Sequence, residues 1–238
     1  MLPWKGENAP YKIWLSEIIL QQTRAEQGIP YYLRFVEHYP TIIELAHAPD
    51  DEVFRLWQGL GYYARCRNML FTARKIANDF GGKFPDNYQE IRELKGVGNY
   101  TAAAIASFAF GLPYAVLDGN VYRVLSRYFG IETAIDSTEG KAIFQPLADD
   151  VLDKKNPAAF NQAIMDLGAI ICLPKHPECS ACPVSSACIA KENDLIKLLP
   201  VKSKKVKVQE RYFNFLLLQF EDKFWLHRRE EKGIWKGL

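Results

Sequence analysis

The sequence lacks the features that mark membrane proteins, secreted proteins and strongly basic proteins. It has no run of eighteen or more apolar residues, so no membrane-spanning helix is predicted. It also has no charged segment followed by an apolar one at its start, so we expect no secretory signal. The formal net charge is only +2 over 238 residues. The total charge by itself therefore does not indicate a polyanionic partner.

Cysteine is scarce and unevenly placed. Four of the five cysteines lie within seventeen positions, and only Cys66 stands apart. In a chain without an export signal, such a group favours metal ligation over disulfides. Four thiolates suit either zinc or an iron–sulfur cluster. Only one pair has the short spacing of a zinc knuckle, so the spacing favours a cluster. The four are Cys172, Cys179, Cys182 and Cys188.

Helical patterns dominate residues 10–190. Pro10 suits a first helical position, and a long helix is predicted from Tyr62 to Phe80. NVYRVLSRYF should end at Gly130, and PAAFNQAIMDLGAIIC should form a further helix. Two acidic residues are predicted caps: Asp50 for DEVFRLW, and Asp86, paired with Gln89, for a short helix.

The character of the chain changes after about residue 192. Residues 192–205 are polar and rich in lysine, which is typical of a linker. Residues 206–238 contain two predicted short strands around a turn at Glu221-Asp222-Lys223. Two strands are marginally stable alone, so we expect an incomplete second domain here.

The stretch LKGVGNYTAA places Gly96 and Gly98 on either side of Val97, between two predicted helices. Glycine permits a tight turn, and the amides of such a turn and of the following helix can hold a phosphate. The alternative is an ordinary tight turn between two helices.

Two carboxylates stand out. On a helical wheel, Lys12 and Ser16 form the only polar stripe of residues 11–20, and Glu17 falls among apolar residues. Burial should raise the pKa of Glu17, which suits either a hydrogen-bonded structural group or a general acid. Asp118 follows an apolar run near a helix start. It is therefore either an N-cap or a carboxylate kept ionised by the helix dipole. An acid beside an ionised carboxylate is what hydrolysis of a glycosidic bond requires.

The cysteine loop and the Leu-x-Gly-Val-Gly-x-x-Thr-Ala motif together resemble the endonuclease III superfamily of DNA glycosylases. Within that superfamily, WLSEIILQQT, QGLGYYAR, LDGNVYRVL and NQAIMDLGAIIC resemble the adenine DNA glycosylase (MutY) family. The resemblance implies an all-α, two-domain helix-hairpin-helix fold, with a six-helix barrel over residues 9–112. An iron–sulfur cluster domain would comprise residues 1–8 and 113–191. Residues 206–238 resemble the start of that family's Nudix-like, 8-oxoguanine-recognising domain.

The resemblance also implies an activity. The chain would act in base excision repair on double-stranded DNA, removing adenine opposite 8-oxoguanine or guanine. It would be a monomer in the bacterial cytoplasm, associated with the nucleoid, with a [4Fe-4S] cluster on the four cysteines. A monovalent cation can bind at the hairpin of such enzymes. Relatives that also cut the strand carry a lysine where Tyr100 stands, so Tyr100 implies a monofunctional enzyme.

By the same resemblance, several residues receive roles. The catalytic residues would be Glu17, Asp118, Tyr100 and Asn120. The DNA contacts would be the wedge residues Gln22, Leu60 and Tyr62, the hairpin residues Gly96, Val97 and Gly98, and the phosphate-binding candidates Arg65, Arg67 and Lys95. The base pocket would include Trp4 and Leu20.

Three alternatives remain open. A thymine-mismatch glycosylase of the same superfamily is disfavoured by Glu17 and by the Nudix-like tail. A non-catalytic DNA-binding iron–sulfur module is disfavoured by the pairing of Glu17 with Asp118. A bifunctional endonuclease III is disfavoured by the absence of a lysine at position 100.

Overall fold

A computed structural model describes residues 2–203, 210, 212–214 and 216–225. The chain divides into two compact units, Met1–Ser203 and Lys204–Leu238. All regular structure described in the first unit is helical, and the prediction of a mainly helical fold is confirmed. None of the described helices is both long and apolar enough to cross a membrane.

Seven helices lie between residues 10 and 110, one more than the six expected. They are α1 (Pro10–Leu20), α2 (Ala25–His38), α3 (Ile42–His47), α4 (Asp50–Trp57), α5 (Tyr63–Asp79), α6 (Tyr88–Glu93) and α7 (Asn99–Phe110). The short helices α3 and α4 are separate because Ala48 precedes Pro49. A residue before proline is disfavoured in the helical region, and Ala48 is extended.

The rest of the first unit contains four further α-helices: α8 (Gly119–Phe129), α9 (Thr138–Val151), α10 (Pro157–Asp166) and α11 (Ile189–Glu192). A π-helical turn, Leu167–Ile171, continues α10, and a 3₁₀ turn, Ser185–Ala187, precedes α11. The helix predicted for PAAFNQAIMDLGAIIC is therefore present, with a change of pitch near its end.

Helix α1 lies in the main hydrophobic core, which draws on residues 11–106. Trp14, Leu15 and Ile19 are fully buried, as expected for a helix that is apolar nearly all round. Ser16 was expected on a polar stripe but is also buried, and its hydroxyl donates to the Ile13 carbonyl at 2.8 Å. A second core draws on residues 115–152 around Phe144. A third cluster joins Ala103 and Ala104 to Val116, and the predicted boundary near residue 112 stays a prediction.

Helix ends follow the sequence in part. Pro10 begins α1, and Gly130 ends α8 in the left-handed conformation, as predicted. Two cap predictions are wrong. Asp50 is the first residue of α4, whose N-cap is Pro49. The cap of α6 is Asn87, whose side chain accepts from the Glu90 amide at 2.9 Å, whereas Asp86 lies one residue too early.

In the second unit, β1 (Gln219–Phe220) pairs antiparallel with β2 (Lys223–Phe224). The connecting turn at Glu221–Asp222 lies where the sequence predicted it. Most of the predicted linker, residues 192–203, is described, and much of residues 206–238 lies outside the described residues. The Nudix-like domain stays a prediction.

Candidate active site

A cavity of about 980 Å³ lies within the first unit. Its walls come from the N-terminal loop, from α1, from the starts of α7 and α8, and from α10. Seven of the residues predicted from the sequence line it, although they are far apart in the chain. They are Trp4, Glu17, Leu20, Gln22, Tyr100, Asp118 and Asn120.

Glu17 reaches the cavity from the buried helix α1. Burial raises the pKa of Glu17 to about 7, against an ordinary value of 4.5. The nearby charge of Asp118 adds to this rise, while a hydrogen bond from Tyr100 opposes it. Near neutral pH the carboxyl group is therefore poised between its protonated and ionised forms, as a group that exchanges a proton during a reaction must be.

Tyr100 is the second residue of α7, directly after the hairpin. Burial, followed by the charges of Glu17 and Asp118, raises the pKa of Tyr100 well above its ordinary value. The phenol therefore stays protonated and donates its hydrogen bond to Glu17. In this position it orients the Glu17 carboxyl group within the cavity.

Asp118 is the N-cap of α8. One carboxylate oxygen, Oδ1, accepts from the Val121 amide at 2.7 Å, and the other, Oδ2, accepts from Asn120 Nδ2 at 2.8 Å. The Asp118 side chain thus caps α8 and also lines the cavity. The structural role and the functional role left open by the sequence therefore do not exclude each other. Donors to both oxygens hold the Asp118 carboxylate in place at the N-terminus of α8.

Arg123 fixes the orientation of the Asn120 amide. The buried Arg123 guanidinium donates through Nη2 to Asn120 Oδ1 at 2.8 Å and to the Gly168 carbonyl at 2.7 Å. Its Nε donates to the Cys172 carbonyl at 2.7 Å. Because Oδ1 of Asn120 is held by a donor, its Nδ2 must face Asp118. A hydrogen-bonded path therefore runs from the cysteine loop to the cavity.

Gly168 allows the π-helical turn to approach α8 closely. A Cβ atom at this position would lie 2.6 Å from Asn120 Cβ and 3.0 Å from its carbonyl oxygen. No side chain fits there without displacing Asn120. The signal in the sequence was the glycine of MDLGAII, which the helical pattern alone did not explain.

The hairpin between α6 and α7 packs on one face of α5. Thr72 Oγ1 donates to the Lys95 carbonyl at 2.9 Å, and Gly96 adopts φ +85°. Gly96 and Gly98 are exposed, as expected for a turn that a ligand approaches. Val97 does not fit the predicted contact role, because its side chain is buried and its amide donates to the Leu94 carbonyl.

The predicted wedge residues divide into exposed and buried members. Gln22 (φ +56°) and Tyr62 (φ +49°) both adopt the left-handed conformation, which is uncommon for non-glycine residues. Gln22 is exposed, and the Tyr62 side chain is 62% exposed. Leu60 is only 4% exposed and packs in the main core. The prediction that Leu60 contacts DNA directly is therefore not supported by its position.

Arg65 was predicted to contact phosphate, but its guanidinium is buried within the protein. Nη1 donates to the carbonyls of Ile18 (3.2 Å), Ile19 (2.7 Å) and Gln21 (2.6 Å). The group also lies 5.3 Å from the centroid of the Tyr62 ring. Since these internal acceptors occupy the guanidinium, we correct this assignment: Arg65 holds protein segments together.

The four cysteines of the loop lie near one another. After the larger effect of burial, the charges of the other three raise the pKa of Cys179. No three His, Cys, Asp or Glu side chains in the described residues lie close enough to hold one metal ion. A tetrahedral zinc ion would need its sulfurs at about 2.3 Å from one point. A [4Fe-4S] cluster binds each thiolate to a different iron and so holds the sulfurs further apart. The iron–sulfur cluster expected from the sequence stays a prediction for these four residues.

Several residues of the cavity were not found from the sequence. Gln162, on α10, lines the cavity and donates to Asp166 Oδ1 at 2.9 Å, while Lys5 approaches Asp166 Oδ2 at 2.6 Å. The neighbouring Asn161 is buried and donates to Ser107 Oγ at 2.8 Å, which ties α10 to α7. The signal in the sequence was a pair of amides, Asn161-Gln162, in a helix whose other residues before Asp166 are apolar.

A model of the "HhH-GPD superfamily base excision DNA repair protein" family matches residues 15–148. This range contains Glu17, the hairpin and Asp118, and it ends before the cysteine loop. The chain belongs to this superfamily. The expected membership of the helix-hairpin-helix glycosylases is thereby confirmed.

Curated relatives are similar over long stretches. An adenine DNA glycosylase of Buchnera aphidicola (subsp. Baizongia pistaciae) is 41% identical over 238 residues, which cover 100% of this chain and 67% of that protein. The adenine DNA glycosylase of Homo sapiens is 42% identical over 200 residues, which cover 80% of this chain and 37% of that protein.

Solved structures share the helical fold. A thermostable thymine-DNA glycosylase aligns with a TM-score of 0.74 and 32% identity, over 81% of this chain and 89% of that one. A non-covalent endonuclease III–DNA complex aligns with a TM-score of 0.67 over 78% of this chain and 86% of that one. At 21% identity the latter similarity concerns the fold alone.

Proposed function

We propose that this HhH-GPD protein is a monofunctional adenine DNA glycosylase of base excision repair, acting on adenine opposite 8-oxoguanine or guanine. The observation that carries the proposal is Glu17, with a pKa of about 7, in the same cavity as the capped carboxylate of Asp118. Relatives named adenine DNA glycosylases, 41% and 42% identical to this chain, support adenine as the base.

The two carboxylates can divide the chemistry of hydrolysis between them. The bond from the sugar C1′ to the base nitrogen breaks, and the base takes the electron pair. Protonated Glu17 gives its proton to the leaving base, while ionised Asp118 stabilises the positive charge that develops on the sugar. Water then adds to C1′, and the Glu17 carboxylate accepts the proton that the water loses.

The cavity walls suit a flat heterocyclic base that has left the duplex. Trp4 lines the cavity and is held edge-on by Tyr32, with ring centroids 5.4 Å apart. Leu20 adds an apolar wall, and the Gln162 amide offers both a donor and an acceptor. The exposed Gln22 and Tyr62 are the better candidates to fill the space left in the duplex, since flipping a base costs a few kcal/mol of lost stacking.

Tyr100 supports the absence of strand cleavage. A strand-cleaving enzyme of this type needs an amine to form a Schiff base with the sugar. No lysine lines the cavity in the described part of the chain, and a phenol stands next to Glu17. Tyr100→Lys should introduce an amine there, and borohydride should then trap a covalent adduct with DNA. Absence of trapping, in a variant that still excises adenine, would mean that residue 100 does not face the sugar.

We also propose that Cys172, Cys179, Cys182 and Cys188 hold a [4Fe-4S] cluster. Arg127 Nη1 lies 3.4 Å from Cys172 Sγ, where it can stabilise a bound thiolate. Such a cluster supplies a fold constraint on the loop, and the two arginines of α8, Arg123 and Arg127, connect that loop to the helix capped by Asp118. Purified protein should contain iron and sulfide. Stoichiometric zinc without iron would contradict this assignment.

The remaining expectations follow from the same function. Acting on chromosomal DNA, the enzyme would work as a monomer in the cytoplasm of a bacterium, at the nucleoid. Double-stranded DNA would be held at the hairpin by the exposed Gly96 and Gly98, with Arg67 and Lys95 near the phosphates. The monovalent cation expected at the hairpin stays a proposal for that turn.

A second candidate activity is removal of thymine from mismatches, because the thymine-DNA glycosylase structure is 32% identical and has a similar fold. The two activities differ in the base that is released. The decisive assay supplies duplexes containing A:8-oxoguanine, A:G or T:G and identifies the free base, with alkali to reveal abasic sites.

Glu17→Gln should abolish release of the base while leaving duplex binding largely intact, because the amide keeps the shape but cannot donate the acid proton. Glu37→Gln, on the exposed surface of α2, is the matched control. Excision by Glu17→Gln at the wild-type rate would refute the assignment of the acid.

A further inference from the structure

The C-terminal end of α1 is a point where three segments with predicted DNA contacts meet. Gln21 directly precedes the exposed Gln22 and forms the C-cap of α1. Its side-chain Nε2 donates to the Gly96 carbonyl of the hairpin at 3.1 Å. Its backbone carbonyl accepts from Arg65 Nη1 at 2.6 Å. One residue therefore contacts the hairpin through its side chain and α5 through its backbone.

Arg65 completes this junction from the other side. The last carbonyls of a helix have no partner within it, and no basic residue of α1 lies in its last turn. Arg65 supplies the missing cation by donating to Ile18, Ile19 and Gln21. Its second terminal nitrogen, Nη2, lies 3.5 Å from the Leu60 and Gly61 carbonyls, directly before Tyr62.

We propose that Gln21 and Arg65 are positioning residues that hold Gln22, Tyr62 and the hairpin turn at a fixed spacing. This inference rests on the proposed function, in which these three elements touch the same DNA duplex. The hairpin holds a phosphate while Gln22 and Tyr62 enter the stack. The DNA backbone is then held in place while the base is displaced, as in a pre-organised binding site.

Backbone strain at the junction supports this role. Gln22 and Tyr62 both have positive φ, and non-glycine residues persist there only when their surroundings hold them. The bonds from Arg65 hold the residues immediately before each of them, Gln21 and Gly61. A buried guanidinium with no carboxylate partner among the described residues is costly. Its retention in this position is explained by the carbonyl groups that it brings together.

The test removes the hairpin bond while keeping the fold. Gln21→Ala and Gln21→Glu both delete the donor to Gly96, and the glutamate keeps the size of the side chain. Gln89→Ala, an exposed glutamine of α6 in the same helix pair, is the matched control. The readouts are the thermal midpoint, the dissociation constant for an A:G duplex, and the fluorescence of 2-aminopurine placed beside the target adenine, which reports base displacement.

Both Gln21 variants should lower the thermal midpoint by only about 1–6 °C, the range expected for one lost hydrogen bond, and bind the duplex about two- to tenfold more weakly. The fluorescence rise on binding should fall, whereas Gln89→Ala should match the wild type in all three readouts. A double-mutant cycle with Gln22→Ala is the specific test. If Gln21 positions Gln22, then Gln22→Ala should weaken duplex binding less in the Gln21→Ala background than in the wild type.

Two outcomes overturn the inference. The first is Gln21 variants that bind and displace the base as the wild type does. The second is a cycle in which the Gln21→Ala and Gln22→Ala effects simply multiply. A wild-type protein that excises no base from any mispaired duplex is a different result, because it would refute the proposed function and leave the junction to be judged from binding and fluorescence alone.

Discussion

The buried Glu17 should make the stability of the protein depend on pH in a way that a single substitution removes. In the unfolded chain its carboxyl group has the ordinary pKa of 4.5, whereas in the folded protein burial raises the pKa to about 7. Below pH 4.5 the group is protonated in both states. Between pH 4.5 and about pH 7, Glu17 is ionised in the unfolded chain but largely protonated in the folded protein, and this difference favours unfolding. The contribution of Glu17 therefore lowers the free energy of unfolding as the pH rises through this window. Above the window this contribution is constant.

The magnitude follows from the size of the displacement. A pKa that moves from 4.5 to about 7 corresponds to about 3 kcal/mol of unfolding free energy. This is an upper value, because Glu17 faces a cavity that water can enter. For a protein of this size, about 1 kcal/mol shifts the thermal midpoint by roughly 2–4 °C. The full effect would thus be near 10 °C.

Glu17→Gln keeps the size of the side chain and an acceptor for Tyr100, but it cannot ionise. From pH 5 to pH 8.5, the thermal midpoint of Glu17→Gln should therefore rise relative to that of the wild type. Any constant cost of the amide cancels from this comparison. Glu37→Gln, on the exposed surface of α2, is the control for the substitution itself.

A difference between Glu17→Gln and the wild type that is the same at both pH values would refute the reasoning. It would mean that water reaches Glu17 freely in the folded protein, so that burial does not raise its pKa. The assignment of Glu17 as an acid active at neutral pH would then lose its physical basis.

Three further predictions concern the cavity. Excision by the wild type should decline above pH 7. Tyr100→Phe should move this decline to higher pH, because the hydrogen bond from Tyr100 lowers the pKa of Glu17. An unchanged pH profile of excision would contradict the hydrogen bond between Tyr100 and Glu17. Asp118→Asn should keep the bond to the Val121 amide but lose the one from Asn120, because its own NH2 group would face the Asn120 Nδ2 that Arg123 holds in place. The thermal midpoint should therefore fall by a few degrees. Excision should slow by about 100-fold or more through loss of charge, and near wild-type excision would contradict its role. Gly168→Ala should lower both the midpoint and the excision rate, because the new Cβ would meet Asn120 at 2.6 Å; unchanged values would show that the turn can yield.

Helix positions were predictable because their signals are local. Pro10 and Gly130 act through their own backbone preferences, so the sequence alone places these two helix ends. The cap of α6 was misplaced by one residue because Asp86 and Asn87 are both good caps. Only the packing of the helix decides which side chain reaches the Glu90 amide.

The candidate site was predictable as a set of residue types but not as a geometry. Glu17 and Asp118 were identified by their chemistry and Tyr100 by the resemblance to the family, and their meeting in one cavity depends on the packing of α1, α7 and α8. Leu60 and Arg65 were assigned DNA contacts by the resemblance to the family, and a local sequence window does not show which side of a helix or loop faces inward. Arg65 is buried because its guanidinium donates to the carbonyls at the end of α1, which have no partner within that helix.

The division of labour between the two carboxylates can be traced to their places in secondary structure. Glu17 lies in the last two turns of a buried helix, where the backbone amides are already bonded within the helix, and Tyr100 donates a hydrogen bond to its side chain. Asp118 lies before the first turn of α8, where the Val121 amide still needs an acceptor. The same functional group is thus poised for proton exchange in one place and held by two donors in the other. The difference therefore belongs to the two positions in the fold and not to the residue types.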